Sequence, residues 1–225
     1  MATCEDAQGE YQCSLADKYI LTSFDALNDS ALAMAVKASS IVVPWAGAAH
    51  LLALAALGGA VLIVDLRLLG LGLIGRPPAA LQRTVQPIFI AALICAIASG
   101  AILALGELRK LYYSPPYWFK IASLASAILF TVLIRNALIE KGGRARVRTY
   151  ATWIAIGASW FAVFIAMSNN LARTALLLLV AAFAAHAWRQ RNQWTYDERL
   201  LAAAAAFSIT LWLATATAGR WIAFY

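Results

Sequence analysis

Residues 41–73 read IVVPWAGAAHLLALAALGGAVLIVDLRLLGLGL. This apolar run exceeds the roughly 20 residues that an α-helix needs to cross the ~30 Å hydrocarbon core of a bilayer. It contains one histidine, His50, and the charged residues Asp65 and Arg67 lie near its end. The stretch therefore predicts a transmembrane helix over about 41–70, with an ionisable side chain at membrane depth.

The whole chain has the composition of a membrane protein. Of its 225 residues, 63% are hydrophobic and 13% are charged, and the mean hydropathy is +0.73. A soluble domain has roughly 45–50% apolar and about 25% charged residues. A protein core cannot absorb this surplus of apolar side chains, so much of the surface is predicted to face lipid.

Further apolar segments follow the first along the chain. Together they predict an all-α, polytopic membrane helix bundle in residues 41–225, with six spans over about 41–70, 88–106, 117–138, 149–167, 171–188 and 199–219. Residues 1–40 are predicted to form an acidic tail and one or two amphipathic helices on the membrane surface. A helical lead-in that continues into the first span is the alternative for this region.

The charges are unevenly distributed along the chain, whose net charge is +7. Residues 1–40 hold six acidic and two basic residues, whereas residues 41–225 hold five acidic and sixteen basic ones. Cytoplasmic loops and anionic lipid account for a basic membrane domain, so no nucleic acid partner is expected. With six spans, eleven Lys and Arg residues fall on one side and seven on the other. This bias predicts that both termini are periplasmic.

Two of the three cysteines, Cys4 and Cys13, lie in the acidic N-terminal region. In an oxidising periplasm they could close a small disulfide loop, and two free thiols on a tail are the alternative. The chain contains no CxxC or HExxH motif. A structural zinc site is therefore not expected.

Three segments resemble a family of bacterial inner-membrane proteins of unknown function. They are AGAAHLLALAALGGAVLIVDLRLLG (46–70), KLYYSPPYWFKIASLA (110–125) and AGRWIAFY (218–225). The family pattern has a histidine at the position of His50, a DLRLLG exit at 65–70 and a terminal GRW at 219–221. The resemblance implies a four-helix core in the bacterial inner membrane, with an extra helical hairpin at about 141–197. It implies no activity.

The chain has only two histidines, His50 and His186, and both lie in predicted spans. Their depths differ by about 14 Å at a rise of 1.5 Å per residue, whereas two nitrogens on one iron lie ~4 Å apart. One haem held by both histidines is therefore not expected, and His186 is predicted to lie at the interface. His50 has three interpretations: axial ligand of one b-type haem, hydrogen-bonded interhelical histidine, or part of a proton or metal pathway.

Two other residues are candidates for contacts to such a haem. Met167, at the end of the fourth predicted span, is a weak candidate for a second iron ligand. Arg220, near the C-terminal end of the sixth, could contact an anionic group such as a haem propionate or a lipid phosphate.

Charged residues near the ends of the spans predict structural ion pairs. Glu107 precedes Lys110 by three residues, a spacing at which the two side chains can pair on a helix. Asp65, beside Arg67, is predicted to form a helix-end salt bridge with Arg83 or Arg135.

The leading hypothesis is a membrane subunit for electron transfer that holds haem b through His50. The alternative is a non-catalytic structural or assembly subunit that contacts other membrane subunits or forms a homo-oligomer. A transporter of a small molecule or metal is a weaker alternative, because the spans lack paired broken helices and interior charges. No nucleophile–base pair, phosphate loop or carboxylate dyad stands out, which argues against an enzyme acting on its own.

Overall fold

A computed structural model describes residues 3–6, 9–12, 15–143, 147–168, 170–190 and 194–224, with side chains from residue 19 onward except 170 and 171. At the N-terminus, β1 (Thr3–Asp6) and β2 (Gly9–Gln12) form an antiparallel hairpin. The polar composition of the predicted tail did not indicate these strands. The side chain of Cys4 and the whole of Cys13 lie outside the described residues, so their disulfide stays a prediction.

The rest of the described chain is helical. In order, it contains α1 (Leu15–Asn28), α2 (Ala31–Ala38), α3 (Val42–Leu68), α4 (Pro78–Gly106), α5 (Leu108–Tyr112), α6 (Pro115–Phe130), a π-helical segment (Thr131–Arg135), α7 (Asn136–Glu140), α8 (Val147–Met167), α9 (Asn170–Gln190), α10 (Tyr196–Trp221) and a 3₁₀ turn (Ile222–Phe224).

Five helical stretches among the described residues are long and apolar enough to cross a membrane. They are α3, α4, Pro115–Glu140, α8 and Tyr196–Phe224. The prediction of an all-α, multi-pass membrane protein is therefore confirmed. Helix α9 coincides with the predicted span 171–188 and has 21 residues, but it is not one of these five.

Local hydrogen bonds explain where α3 begins and ends. At its start, Ser39 Oγ accepts a hydrogen bond from the Val42 N–H, with 3.2 Å between the two atoms. At its end, Gly70 has a φ of 71° and the Leu71 N–H donates to the Leu66 carbonyl at 2.9 Å. This pattern is a Schellman motif, in which glycine adopts the left-handed conformation that stops a helix.

Two other helices begin earlier than hydropathy predicts. Helix α4 begins at Pro78 and continues through Pro87, which membrane helices tolerate although proline lacks an N–H. Helix α10 begins after Thr195, whose side chain forms a capping box with Glu198. The T-x-x-E spacing that marks this start is polar, so an apolar window does not detect it.

The chain divides into two compact units, and unit 1 comprises residues 1–53 and 94–114. Within it α1 packs against α5. The rings of Phe24 and Tyr112 lie 5.5 Å apart, and Arg109 forms an exposed salt bridge of 3.3 Å with Asp25. These contacts hold the N-terminal helices against the segment that follows α4.

Unit 2 comprises residues 54–93 and 115–225. One apolar cluster joins the second part of α3 to the first part of α4 and to α10, through residues such as Val64, Phe89 and Ala205. A second cluster joins α6, α8 and α10 around Phe130. Within the most apolar stretch of 18 residues in each helix, 50% of the residues are buried in α10, compared with 22% in α4. Helix α10 is therefore the more buried of these two helices.

Candidate functional site

In unit 1, His50 on α3 contacts Ser99 on α4. Its Nδ1 lies 3.0 Å from Ser99 Oγ. Ser99 is buried and His50 is partly buried. The contact is a hydrogen bond between two membrane-spanning helices, of the kind that polar side chains make where no water competes.

The surroundings of Ser99 indicate which imidazole nitrogen carries the proton. Ser99 Oγ lies 2.6 Å from the Cys95 carbonyl and 3.3 Å from the Ala96 carbonyl, so its single hydrogen is directed to Cys95. The hydroxyl oxygen must then accept from His50, which makes Nδ1 the donor. In a neutral imidazole with this tautomer, Nε2 carries the lone pair that a metal binds.

Glycine allows α4 to approach the histidine closely. A Cβ atom added to Gly100 would lie 3.1 Å from His50 Cε1, which is tighter than ordinary van der Waals contact. One helical turn earlier on α3, a Cβ added to Gly47 would meet no described atom within 4 Å. The imidazole is therefore fixed against α4, and the face of α3 one turn away is open.

The second histidine lies in unit 2 and makes a different contact. His186 Nε2 lies 2.8 Å from the Leu69 carbonyl, and its ring contacts Trp194 at 5.5 Å between centroids. A carbonyl can only accept, so Nε2 carries the proton and donates. His186 therefore satisfies one of the carbonyls that the end of α3 leaves without a helical partner, whereas the sequence indicated only an interfacial position.

Replacing His186 by leucine is expected to destabilise the protein by about 1–2 kcal/mol, because the Leu69 carbonyl would lose its donor. Glutamine can still donate from its side-chain amide, so His186→Gln should lose less. Thermal unfolding in detergent measures both variants. Equal losses in the two would show that the ring contact with Trp194, and not the hydrogen bond, is responsible.

Also in unit 2, Asp65 on α3 forms a salt bridge with Arg135 in the π-helical segment. The Arg135 Nη1 atom lies 2.8 Å from Asp65 Oδ1. The Asp65 side chain is 0% exposed and the Arg135 side chain 4%. Of the two predicted partners the structure selects Arg135, while Arg83 is exposed. The pair is buried inside unit 2. The sequence, in contrast, predicted a salt bridge at the end of the helix.

The other predicted ion-pair residues lie at the surface. Glu107 and Lys110 form an exposed pair at 3.6 Å. Arg67 donates from Nε to the Arg76 carbonyl at 2.7 Å. This bond ties the loop after α3 back to the helix.

The two candidates for haem contacts are both exposed residues of unit 2. Met167 ends α8. The Arg220 guanidinium lies 5.2 Å from the centre of the Phe224 ring, a cation–π distance. Within the part of the chain that the structure describes, no three His, Cys, Asp or Glu side chains form a group that could hold a metal ion.

The sequence indicated Ser99 only as part of a face of small residues, Ala91, Cys95 and Ser99, that recur every four residues in the second predicted span. Nothing in the sequence pattern singled out Gln82, Asn136 or Ser208. All four are polar residues within predicted or observed helices. For Ser99, Asn136 and Ser208 the position inside a predicted span was the available signal, since polar groups at membrane depth require partners. Gln82 lies before the second predicted span and gave no such signal.

The chain was compared with known proteins. The model of a family described as "Family of unknown function (DUF6644)" matches residues 24–172. The match includes all of α8 and ends near the start of α9. Helix α8 is the first helix of the hairpin that the sequence resemblance indicated as an insertion. None of the curated proteins and none of the solved structures matches the chain.

Proposed function

The chain belongs to the DUF6644 family, and for this membrane protein of a family of unknown function we propose that His50 is the axial ligand of one b-type haem in an electron-transfer subunit. The observation that carries the proposal is the hydrogen bond from His50 to Ser99 at 3.0 Å. A bound haem would supply reversible transfer of one electron at this position.

The environment of His50 fits an axial ligand in two respects. Histidines that bind metals usually donate their other ring N–H to a fixed acceptor, which sets the tautomer and the ring orientation. Ser99 is such an acceptor, because its own hydrogen is directed to the Cys95 carbonyl. A Cβ added to Gly47, one helical turn before His50, would meet no described atom within 4 Å, so no described residue packs closely on α3 at this point.

A structural role is the second candidate, and the same hydrogen bond favours it. The bond between His50 and Ser99 joins α3 to α4 and needs no cofactor to account for a histidine in a membrane helix. In that case the protein is a non-catalytic subunit, whose exposed apolar helices contact other membrane subunits or a second copy.

The absorption spectrum of the purified protein, produced with an adequate haem supply, separates the two candidates. The haem proposal expects a Soret band that His50→Ala abolishes and the matched variant His186→Ala retains. Ser99→Ala should keep the band but weaken haem affinity by about 10–100-fold, the usual effect of losing the partner of a metal-binding histidine.

Two results would overturn haem binding: no Soret band in the wild-type protein, or an unchanged band in His50→Ala. If the band is absent and both His50→Ala and Ser99→Ala lower the melting temperature to a similar extent, the structural candidate is supported. If both variants are as stable as the wild-type protein, the structural candidate is contradicted as well.

The proposal includes six spans in a bacterial inner membrane, with both termini in the periplasm. Helix α9 supports a span at about 171–188, the one that brings the number to six, because its 21 residues extend about 30 Å at 1.5 Å per residue. The excess of Lys and Arg on one side of a six-span chain supports the orientation. Alkaline phosphatase fused to either terminus should be active, and activity at only one terminus would indicate an odd number of spans.

A further inference from the structure

Unit 2 contains a small polar cavity next to the Asp65–Arg135 salt bridge. Its volume is about 10 Å³, which is the space that one water molecule requires. The polar side chains of Gln82, Arg135 and Asn136 line it together with apolar residues such as Phe89. The cavity is therefore the right size for a single small ligand.

Three buried polar atoms of the lining residues have no hydrogen-bond partner among the described residues: Gln82 Oε1, Arg135 Nε and Asn136 Oδ1. Gln82 is 6% exposed and Arg135 4%. Buried polar groups in native proteins are almost always hydrogen-bonded to protein or to ordered water. Three such atoms, on three residues that line one cavity, therefore indicate a shared ligand.

Two further buried atoms, Asp65 Oδ2 and Ser208 Oγ, also lack a well-formed hydrogen bond. The Ser208 hydroxyl lies beside the Asp65 carboxylate, and neither residue lines the cavity. They do not compete for the ligand of the cavity.

We propose that this cavity is a binding site for one water molecule that joins Arg135 to Gln82 and Asn136. The three atoms are one N–H donor and two carbonyl acceptors. Water matches this set, because it can accept from Arg135 Nε–H and donate one hydrogen to each amide oxygen.

Charge argues against a small ion as the ligand. A cation would lie against the Arg135 guanidinium, whose charge Asp65 already balances at 2.8 Å. An anion would face the two carbonyl oxygens, Gln82 Oε1 and Asn136 Oδ1. Neutral water meets neither repulsion.

The water explains how a charged pair is retained inside a membrane protein. Burial of the Arg135 guanidinium with an unpaired N–H is costly, and a water that accepts from it removes that cost. The water also joins α4, through Gln82, to the salt bridge between α3 and the π-helical segment. The site is independent of the haem proposal, which concerns unit 1.

A structure of the full-length protein at a resolution that shows water tests the proposal directly. A density peak within hydrogen-bond distance of Gln82 Oε1, Arg135 Nε and Asn136 Oδ1 is expected. The peak should be unchanged after rubidium or bromide replaces the salt in the buffer. A cavity without density, or a peak with the anomalous signal of either ion, would overturn the proposal.

Substitutions provide a second measurement. Gln82→Met and Asn136→Leu each remove one acceptor at similar volume, and each should lower the melting temperature by about 2–4 °C. Because both residues bind the same water, the second substitution should cost less than half as much in the background of the first. Gln86→Met is the control, since Gln86 lines the cavity without an unsatisfied buried atom. Fully additive losses would contradict a shared ligand.

Discussion

Replacing Arg135 by methionine is expected to destabilise the protein by about 3–5 kcal/mol, because the substitution leaves the Asp65 carboxylate buried without its counter-charge. Asp65 is fully buried and its Oδ1 atom lies 2.8 Å from Arg135 Nη1. Asp65→Leu should have a loss of similar size, since it leaves the guanidinium unpaired. Unfolding of the purified variants in detergent, followed by circular dichroism, measures both.

The double variant Asp65→Leu/Arg135→Met should recover most of this loss, because apolar residues of similar volume replace a buried ion pair at little net cost. Lys110→Met is the matched control. It removes the exposed pair with Glu107 and should cost at most about 1 kcal/mol. A loss in Arg135→Met no greater than in Lys110→Met would contradict the buried salt bridge.

Replacing Gly143 by alanine is expected to cost about 3 kcal/mol, because a strained backbone and a steric overlap add together. Gly143 has a φ of 90°, and an added Cβ would lie 2.7 Å from both Cβ and the carbonyl oxygen of Asp197. Neither group can move easily, since Asp197 lies in the first turn of α10. The end of α7 would have to separate from the start of α10.

Gly142→Ala separates the two causes. Gly142 also has a positive φ of 61°, but an added Cβ would meet no described atom within 4 Å. Only backbone strain remains, which costs about 1–2 kcal/mol for a residue other than glycine. Melting temperatures of the two variants measure the difference. Equal losses would contradict the steric overlap with Asp197 and leave backbone strain as the cause at both positions.

Much of the fold could be predicted because membrane insertion depends on local composition. The five spans of the described structure all correspond to predicted apolar segments. The errors have local causes: Pro87 concealed the first part of α4, and the polar capping box at Thr195 concealed the start of α10. The π-helical segment Thr131–Arg135 had no sequence signal, since its residues suit an α-helix equally well.

The candidate sites were less predictable because each depends on a partner that is distant in the chain. Sequence singled out His50 and Asp65 as ionisable residues near or within membrane depth. The sequence did not decide whether Asp65 pairs with Arg83 or with Arg135. It indicated Ser99 only as one residue of a face of small side chains.

The sequence by itself determined that this is an α-helical, multi-pass membrane protein, because the length and hydropathy of a helix are properties of consecutive residues. Only the tertiary structure decided that Asp65 pairs with Arg135, that Ser99 orients His50, and that His186 binds the end of α3. These partners lie 49 to 117 residues apart. Packing between helices selects one partner from several that composition leaves equivalent.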